Sequence, residues 1–205
     1  MAGSARRVVS SPSPADDDQA AADGLTEIRN VLQLRRPLPM EATNRVPTRA
    51  FVPGSGDEAK WIEVNNRAFA THPDQSNMTP ERLHADLSAD WFHPEGFRMH
   101  ERDGRLAAFC WTKRHRATST DPAMGEIYVI GVDPDFQGLG LGRSLVIAGL
   151  AWLADAGETI GMLYVDETNT PAARLYDQLG FSLHHVDRVY DAPGPGSSDE
   201  AQPTQ

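Results

Sequence analysis

The spacing of apolar residues changes several times along the middle of the chain, and each change predicts a secondary-structure element. The segment "TRAFV" predicts a short strand. Asp57 is placed to cap a helix that carries Trp61 and Val64 on one side. Proline directly after Thr79 predicts the start of a second helix, because proline is favoured in the first helical position.

The next segments alternate between apolar and polar residues. "FRMHERDGRLAAFCWTK" predicts two strands joined by a tight hairpin turn at Asp103-Gly104. "GEIYVIGV" is a β-branched run without clean alternation, which is typical of a strand covered on both faces. A helix from Leu141 to Ala156 carries apolar residues on nearly every side, so we expect it to be central and buried.

The last elements continue this order. "IGMLYVD" predicts another buried strand, and a helix that ends at Gly180 has Thr168, Asn169 or Thr170 as its possible cap. "FSLHHVDRVY" predicts the closing strand. A strand, two helices, a hairpin and then strand–helix–strand–helix–strand together predict an α/β fold with a central mixed sheet and helices on both faces.

Composition adds domain boundaries to this picture. The chain has 205 residues, of which 40% are hydrophobic, so it fits one ordinary domain with tails. Residues 1–23 and 192–205 are rich in Ser, Pro, Gly and acidic residues, and we expect both to be disordered tails. Residues 24–46 are predicted to be a linker, and residues 47–191 the folded domain.

Charge and cysteine content narrow the functional classes. The formal net charge of −10 disfavours nucleic acid as the main partner and slightly favours a cationic substrate. No run of about 18 apolar residues is present, so we expect a soluble, cytoplasmic protein with no membrane partner. Cys110 is the only cysteine, which excludes an internal disulfide and a cysteine-based metal cluster. Its alternating neighbours predict a buried strand residue rather than a nucleophile, and we expect no bound metal.

The stretch "VDPDFQGLGLGRSL" places glycines at 138, 140 and 142, just before the central helix. Bare backbone at a helix N-terminus suits a phosphate, because unpaired N–H groups and the positive end of the helix dipole meet there. The stretch lacks the Gly-Lys-Ser/Thr of a P-loop and the glycine spacing of a dinucleotide fingerprint. It predicts a pyrophosphate cradle, with a plain strand-to-helix turn as the alternative.

This loop and "NTPAARLYDQLGF", about thirty residues further on, resemble the acetyl-CoA-binding motifs of the GNAT N-acetyltransferase superfamily. The matching positions are Gln137, Gly140, Gly142, Asn169, Ala172, Leu175, Tyr176, Gly180 and Phe181. A narrower similarity, from about Gly24 to Asp191, is to the C-terminal half of the mycothiol synthases. Those enzymes acetylate the cysteinyl amine of Cys-GlcN-Ins and contain two GNAT domains, whereas this chain has room for one.

The segment "GLTEIRNVLQLRRP", from Gly24 to Pro37, shares its glycine and proline spacing with "GFSLHHVDRVYDAP". Its similarity to the family's linker suggests a remnant strand of a lost first repeat, and a chance match is the alternative. As a strand without its own domain, it is expected to lie along an edge or groove of the folded domain, or to mediate self-association.

The resemblance implies that acetyl-CoA is the co-substrate. In the family, the N–H groups of the glycine loop bind the pyrophosphate, and the strand before the loop pairs with the pantetheine arm. The residues implied to bind acetyl-CoA are Ile130, Gly131, Val132, Gln137, Gly138, Leu139, Gly140, Leu141, Gly142, Arg143, Asn169, Thr170, Pro171, Ala172, Ala173 and Arg174.

The resemblance also assigns the catalytic residues. It gives Glu126 the role of base and substrate ligand, and Tyr176 the role of the acid that protonates the departing thiolate. The substrate residues that it implies are Asp74, Lys113, Glu126 and Tyr164. Without the motifs, Glu126 would read as a solvated residue at a strand start, Tyr176 as core, and Lys113 as one of a solvated basic run.

Two positions depart from the mycothiol synthase pattern. Asp74 replaces a glutamate that is one methylene longer, and Cys110 stands where that family usually has histidine. The predicted function is an acetyl-CoA-dependent N-acetyltransferase acting on the amine of Cys-GlcN-Ins. The alternatives are a GNAT enzyme for another small amine or a peptide N-terminus, and a non-catalytic protein that binds acetyl-CoA.

Overall fold

The computed structural model of the chain describes residues 6–41, 46–70 and 76–192. Eight strands and five helices lie in these ranges. The strands are β1 (Arg7–Ser10), β2 (Thr26–Pro37), β3 (Arg49–Ala50), β4 (Phe97–Arg102), β5 (Arg105–His115), β6 (Met124–Val132), β7 (Ile160–Asp166) and β8 (Ser182–Asp191). The helices are α1 (Pro14–Ala22), α2 (Asp57–Ala68), α3 (Pro80–Leu87), α4 (Leu141–Asp155) and α5 (Thr170–Gln178).

The chain forms two compact units. Met1–Leu34 and Tyr164–Gln205 make up the first unit, and Arg35–Leu163 makes up the second. Strands β2 and β7 each contribute residues to both units. The strands form a mixed sheet, which confirms the predicted α/β class.

In the second unit the strand order is β7-β6-β5-β4-β3. Neighbours from β3 to β6 are antiparallel, and β6 is parallel to β7. Asp103 and Gly104 join β4 to β5 with φ angles of 53° and 75°. Two successive positive φ angles match the hairpin turn predicted for this Asp-Gly pair, since that turn follows the natural twist of the strands.

Side chains of β5 alternate between two packed faces. Phe109 and Trp111 contact Trp61 of α2, with ring centroids 5.5 Å apart in each pair. Cys110 lies on the opposite face under α4, where a Cβ on Gly149 would come within 2.6 Å of its Sγ atom. Because successive strand residues point to opposite faces, the sheet of this unit has helices on both sides, as predicted.

Asp57 differs from its predicted role as a helix cap. The cap of α2 is Gly56, which has a φ of 90°, and Asp57 is the first helical residue. Its carboxylate accepts a hydrogen bond from the backbone N–H of Val52 and pairs with Arg49. The signal for a helix start was correct, but the acid closes the preceding loop instead of capping the helix.

In the first unit the strand order is β1-β8-β2-β7. Residues 1–23, expected to be a tail, include β1 and α1 in the part that the structure describes. β1 pairs antiparallel with β8, and Ala20, Leu25 and Tyr190 form a small buried cluster. Backbone pairing to a sheet edge does not require apolar side chains, so the polar composition hid this strand.

The Gly24 to Pro37 segment also forms regular structure. Thr26–Pro37 is strand β2, which lies between β8 and β7 in the order of the first unit. It was expected to lie along an edge or groove of the folded domain, or to mediate self-association, and in the structure it is an interior strand. The Asn30 carbonyl accepts a hydrogen bond from Glu167 N–H at 3.0 Å. The domain boundaries at residues 47 and 191 stay predictions, and residues 193–205 lie outside the described part.

Candidate active site

The glycine loop leads from β6 into α4 through a short 3-10 helix, Pro134–Phe136. Asp133 begins this turn, and its Oδ1 accepts a hydrogen bond from the N–H of Asp135 at 2.9 Å. Residues 137–140 are exposed, and Gly138 and Gly140 have φ angles of 76° and 71°. Only glycine adopts these angles without strain, so the backbone shape itself requires both residues.

The space around these two glycines is open. A Cβ atom at Gly138 or Gly140 would meet no protein atom within 4 Å. Gly140 caps α4 without a capping side chain, and the first turn of α4 carries no acidic residue. The first turn of this long helix therefore contributes no anion of its own, which suits a pyrophosphate.

Among the described strands, β6 has a pairing partner on only one side just before the loop. Ile130, Gly131 and Val132 pair with β5 on one side. On the other side, the pairs between β6 and β7 end at Glu126–Met162, four residues earlier. Gly131 also has a packing role that the motif did not predict, because a Cβ there would come within 2.7 Å of the Phe109 ring.

Glu126 lies near the start of β6 and is buried, with 7% of its surface exposed. Its Oε2 lies 2.6 Å from Nε2 of His115 on β5. The alternative of a solvated residue at a strand start therefore does not describe Glu126. His115 was not among the predicted site residues. The sequence feature that could have identified His115 is its spacing of two residues from Lys113 in "KRH", which places both side chains on one face of a strand.

Lys113 is half-buried and does not belong to a uniformly solvated basic run. Its Nζ lies 4.6 Å from the centroid of the Trp91 ring and 5.2 Å from that of Tyr128. Such contacts stabilise an ammonium group through the negative face of the ring. The neighbouring Arg114 pairs with Glu158 at 2.6 Å.

Two further titratable side chains lie in this part of the second unit. Burial raises the pKa of Tyr128, and the negative charges of Asp86 and Glu126 act in the same direction. Burial also raises the pKa of the Asp86 carboxyl, opposed by the positive charges of Arg82 and Lys113. Such shifted groups are typical of functional sites. No motif in the sequence singled out Asp86 or Tyr128.

Cys110 has no exposed surface, and burial raises the pKa of its thiol to about 12. A thiol in this state is not a nucleophile at neutral pH. This confirms the prediction of a buried strand cysteine. Among residues 6–41, 46–70 and 76–192, no group of three His, Cys, Asp or Glu side chains is arranged to hold a metal ion.

The first unit carries the second motif. The Asn169 side chain caps α5 by accepting a hydrogen bond from the N–H of Ala172 at 3.3 Å, and Pro171 lies in the first turn. The predicted cofactor residues are therefore the cap and the first five residues of one helix: Asn169, Thr170, Pro171, Ala172, Ala173 and Arg174. The predicted cap was one of three residues, and the structure selects Asn169.

Tyr176 and Tyr164 are the other predicted site residues of the first unit. Tyr176 is buried on α5 and makes an edge-to-face contact with Phe181 at a centroid distance of 5.8 Å. Tyr164 on β7 is exposed, and its Oη accepts a hydrogen bond from Nε2 of Gln33 at 2.7 Å. Gln33 was not predicted, because nothing in the sequence shows that β2 lies beside β7.

The predicted residues thus fall into two groups. The second unit contains Glu126, Lys113, residues 130–132 and the loop 137–143, and the first contains Tyr164, Tyr176 and residues 169–174. Asp74, predicted to bind substrate, lies outside the described residues. In the part of the chain that the structure describes, no helix has the length and apolar character to cross a membrane.

Curated relatives match most of the chain. A mycothiol acetyltransferase of Thermomonospora curvata is 50% identical over 182 residues, which cover 86% of this chain and 59% of that protein. A mycothiol acetyltransferase of Acidimicrobium ferrooxidans is 49% identical over 170 residues, covering 80% of this chain and 54% of that protein. The chain therefore spans a little over half the length of these relatives.

Solved structures agree on the fold. A GCN5-related N-acetyltransferase from Sphaerobacter thermophilus aligns with a TM-score of 0.71 at 22% identity, over 92% of this chain and 60% of that chain. A tandem GNAT protein from the clavulanic acid biosynthesis pathway aligns with a TM-score of 0.62 at 16% identity, over 95% and 65%. The Acetyltransferase (GNAT) family itself matches residues 61–181. Since this match covers more than half of the chain, the protein belongs to the GNAT acetyltransferase family.

Proposed function

We propose that the protein transfers an acetyl group from acetyl-CoA to the cysteinyl amine of Cys-GlcN-Ins, which gives mycothiol. The observation that carries this proposal is the placement of Glu126. A buried carboxylate lies where β6 stops pairing with β7. The same strand leads to the N-terminus of α4, which has no capping side chain and no acid in its first turn. Relatives at 49–50% identity share the name mycothiol acetyltransferase, which supports the choice of acceptor.

The chain's own groups account for acetyl-CoA binding. The backbone N–H groups of residues 137–143 bind the pyrophosphate at the N-terminus of α4. The unpaired edge of Ile130, Gly131 and Val132 pairs with the pantetheine arm as an added strand would. The second family motif also assigns residues 169–174 of α5 to acetyl-CoA binding.

The chemistry is a direct acyl transfer. The amine nitrogen attacks the thioester carbonyl carbon, the carbon–sulfur bond breaks, and the amide forms. Glu126 takes the proton that the amine releases, and the phenol of Tyr176 gives a proton to the departing thiolate. Atoms and charges balance, since one proton is taken and one is supplied.

A carboxylate base is better suited to an α-amine acceptor than to the side-chain amine of a lysine acceptor. An α-amino group has a pKa near 7.7–8.0, so making it neutral at pH 7 costs about 1 kcal/mol. A lysine amine, with a pKa near 10.4, costs about 4–5 kcal/mol by the same relation. In this proposal Lys113, Tyr164 and Asp74 bind the remainder of the acceptor.

The test is an acetyl-transfer assay on the full chain with acetyl-CoA. The acceptors are Cys-GlcN-Ins, free cysteine, lysine and a short peptide with a free N-terminus, and mass spectrometry detects the acetylated product. We expect Cys-GlcN-Ins to have the highest kcat/KM. Faster transfer to another amine would identify a different acceptor, and acetyl-CoA binding without transfer to any amine would contradict an enzymatic role.

Two variants test the assigned roles. Glu126→Gln should slow the chemical step about 100-fold, with partial recovery at higher pH as more amine becomes neutral. Tyr176→Phe keeps the ring and should slow it by a similar factor of about 100. Glu158→Gln and Tyr190→Phe are the controls, because Glu158 is equally buried in an ion pair with Arg114 and Tyr190 is a buried tyrosine. Wild-type single-turnover rates in both Glu126→Gln and Tyr176→Phe would contradict both roles.

A further inference from the structure

The side chain of Glu126 contacts His115, a residue that has no role in the cofactor motifs or in the acid–base chemistry proposed above. Nε2 of His115 lies 2.6 Å from Oε2 of Glu126. We propose that His115 is a positioning residue that holds the Glu126 carboxylate and passes the proton it receives to solvent. The inference rests on the proposed function, because it concerns the fate of the proton that the acceptor amine releases.

The register of the two strands explains how this contact arises. Lys113 is directly opposite Glu126, and His115 is opposite Met124, so the His115–Glu126 contact is diagonal across the strand pair. Diagonal neighbours on one face lie within reach of long side chains. Lys113 places its ammonium group over the rings of Trp91 and Tyr128. The imidazole therefore takes the position beside the carboxylate.

The exposed fractions of the two side chains set a direction for proton movement. The Glu126 side chain is 9% exposed, and the His115 side chain is 31% exposed. A proton on a carboxyl group this buried needs a route to water before the next acceptor is deprotonated. Imidazole takes up and releases protons near neutral pH, which makes it suited to that transfer.

The proposed sequence moves one proton and breaks no other bond. Glu126, as the carboxylate, takes the proton that the acceptor amine releases as the amide forms, and becomes a carboxylic acid. That proton then moves to Nε2 of His115, which restores the carboxylate and forms an imidazolium. The imidazolium loses a proton to bulk water, and both side chains return to their starting charges.

His115 therefore acts on turnover rather than on cofactor binding. Its loss should lower kcat and leave the affinity for acetyl-CoA unchanged, because the glycine loop and α4 do not involve this contact. A merely structural role would instead lower stability and affinity together. The two roles are distinguished by the kinetic constants and by chemical rescue.

The test compares three variants of the full chain in the Cys-GlcN-Ins assay. His115→Ala should lower kcat about 10- to 100-fold, and added imidazole should restore part of the rate. His115→Gln keeps a hydrogen-bond donor for Glu126 but cannot carry a proton, so it should stay slow. His100→Ala is the control, because His100 is on neighbouring β4 and its Nδ1 contacts the Pro47 carbonyl at 2.8 Å.

The outcomes separate this inference from the proposed function. Wild-type kcat in a folded His115→Ala variant would overturn it, and so would full activity in His115→Gln combined with no imidazole rescue of His115→Ala. Melting temperatures of all variants identify any loss of folding, and His115→Gln then provides the decisive comparison. A wild-type chain that acetylates no amine would overturn the proposed function first, and the proton route with it.

Discussion

Helices α2 and α4 begin with the same backbone geometry and opposite chemistry. Gly56 caps α2 with a φ of 90°, and Gly140 caps α4 with a φ of 71°. Neither glycine offers a capping side chain. The first turn of α2 contains Asp57 and Glu58, whereas the first turn of α4 contains no acid.

The acids of α2 are used within the protein. Oε1 of Glu58 accepts a hydrogen bond from the N–H of Gly54 at 2.6 Å, and Asp57 pairs with Arg49. The positive end of the α2 dipole is thus balanced by acids of its own first turn, whereas the first turn of α4 contains none. A left-handed glycine cap is thus a geometric device in both helices, and the two helices differ in the charge of their first turn.

The largest expected effect tests the cap itself. Gly140→Val should weaken acetyl-CoA binding about 100-fold, as expected for the loss of two charge-assisted hydrogen bonds of about 1.5 kcal/mol each. Gly56→Val is the matched control, because both positions are open and left-handed. Each variant should lose roughly 1–2 kcal/mol of unfolding free energy from backbone strain. Calorimetry and denaturation measure the two quantities.

Only the Gly140 variant should lose affinity for acetyl-CoA. Equal affinities in two folded variants would show that the pyrophosphate does not bind at the N-terminus of α4.

The second prediction tests the ion pair between Asp57 and Arg49 at the N-terminus of α2. Asp57→Asn should lower the unfolding free energy by about 2 kcal/mol at pH 7, without changing affinity for acetyl-CoA. Breaking a fully buried ion pair costs about 3–5 kcal/mol, and the smaller figure applies because the Arg49 side chain is 37% exposed and partly screened. Urea denaturation measures the change, and an unchanged free energy would contradict a stabilising pair.

The same pair has a pH dependence with a defined sign. Hydrogen bonds from Arg49 lower the pKa of Asp57 below 3.8, despite the opposing effect of burial. The stabilisation is therefore fully present above about pH 4 and is lost as the pH falls through the lowered pKa. Asp57→Asn should remove this part of the acid sensitivity, so the stabilities of variant and wild type should converge as the pH falls below 4.

The third prediction, with a smaller expected effect, places an acid in the first turn of α4, as in α2. Arg143 is exposed in the first turn of α4, and Arg143→Glu places an acid where the pyrophosphate is expected. Affinity for acetyl-CoA should fall about 10-fold, and more at low salt because screening is weaker there. Stability should rise by about 0.3–1 kcal/mol, since the acid complements the helix dipole. Arg143→Gln separates the lost cation from the added anion, and equal affinities in the two variants would contradict repulsion.

The smallest effect concerns α5, whose N-terminus is capped by a side chain instead of by a glycine backbone. Asn169→Ala removes the bond to the N–H of Ala172 and should cost about 1 kcal/mol of stability. Asn169→Asp keeps an acceptor and should retain the stability of the wild type. Thermal unfolding distinguishes the two variants, and equal melting temperatures for Asn169→Ala and wild type would show that this cap contributes nothing.

Local signals accounted for most of the elements. The positions of β6, α4 and β7 follow from apolar runs, and the hairpin at Asp103-Gly104 follows from the residues that a tight turn requires. Helix starts were less exact, as Asp57 shows, because an acid at a helix N-terminus can serve either the helix or the loop before it. Strand β1 was not predicted, because main-chain pairing with β8 does not require a particular side-chain composition.

The sequence by itself determined the α/β class, the glycine loop at the start of α4 and the positions of Glu126 and Tyr176, because each depends on local periodicity or a short motif. Tertiary structure alone decided that His115 contacts Glu126, that Lys113 lies over two aromatic rings, and that Gly131 accommodates Phe109. These contacts depend on the register between strands and on packing across faces. A single sequence does not encode them as a local pattern, since residues far apart in the chain meet only after the sheet has formed.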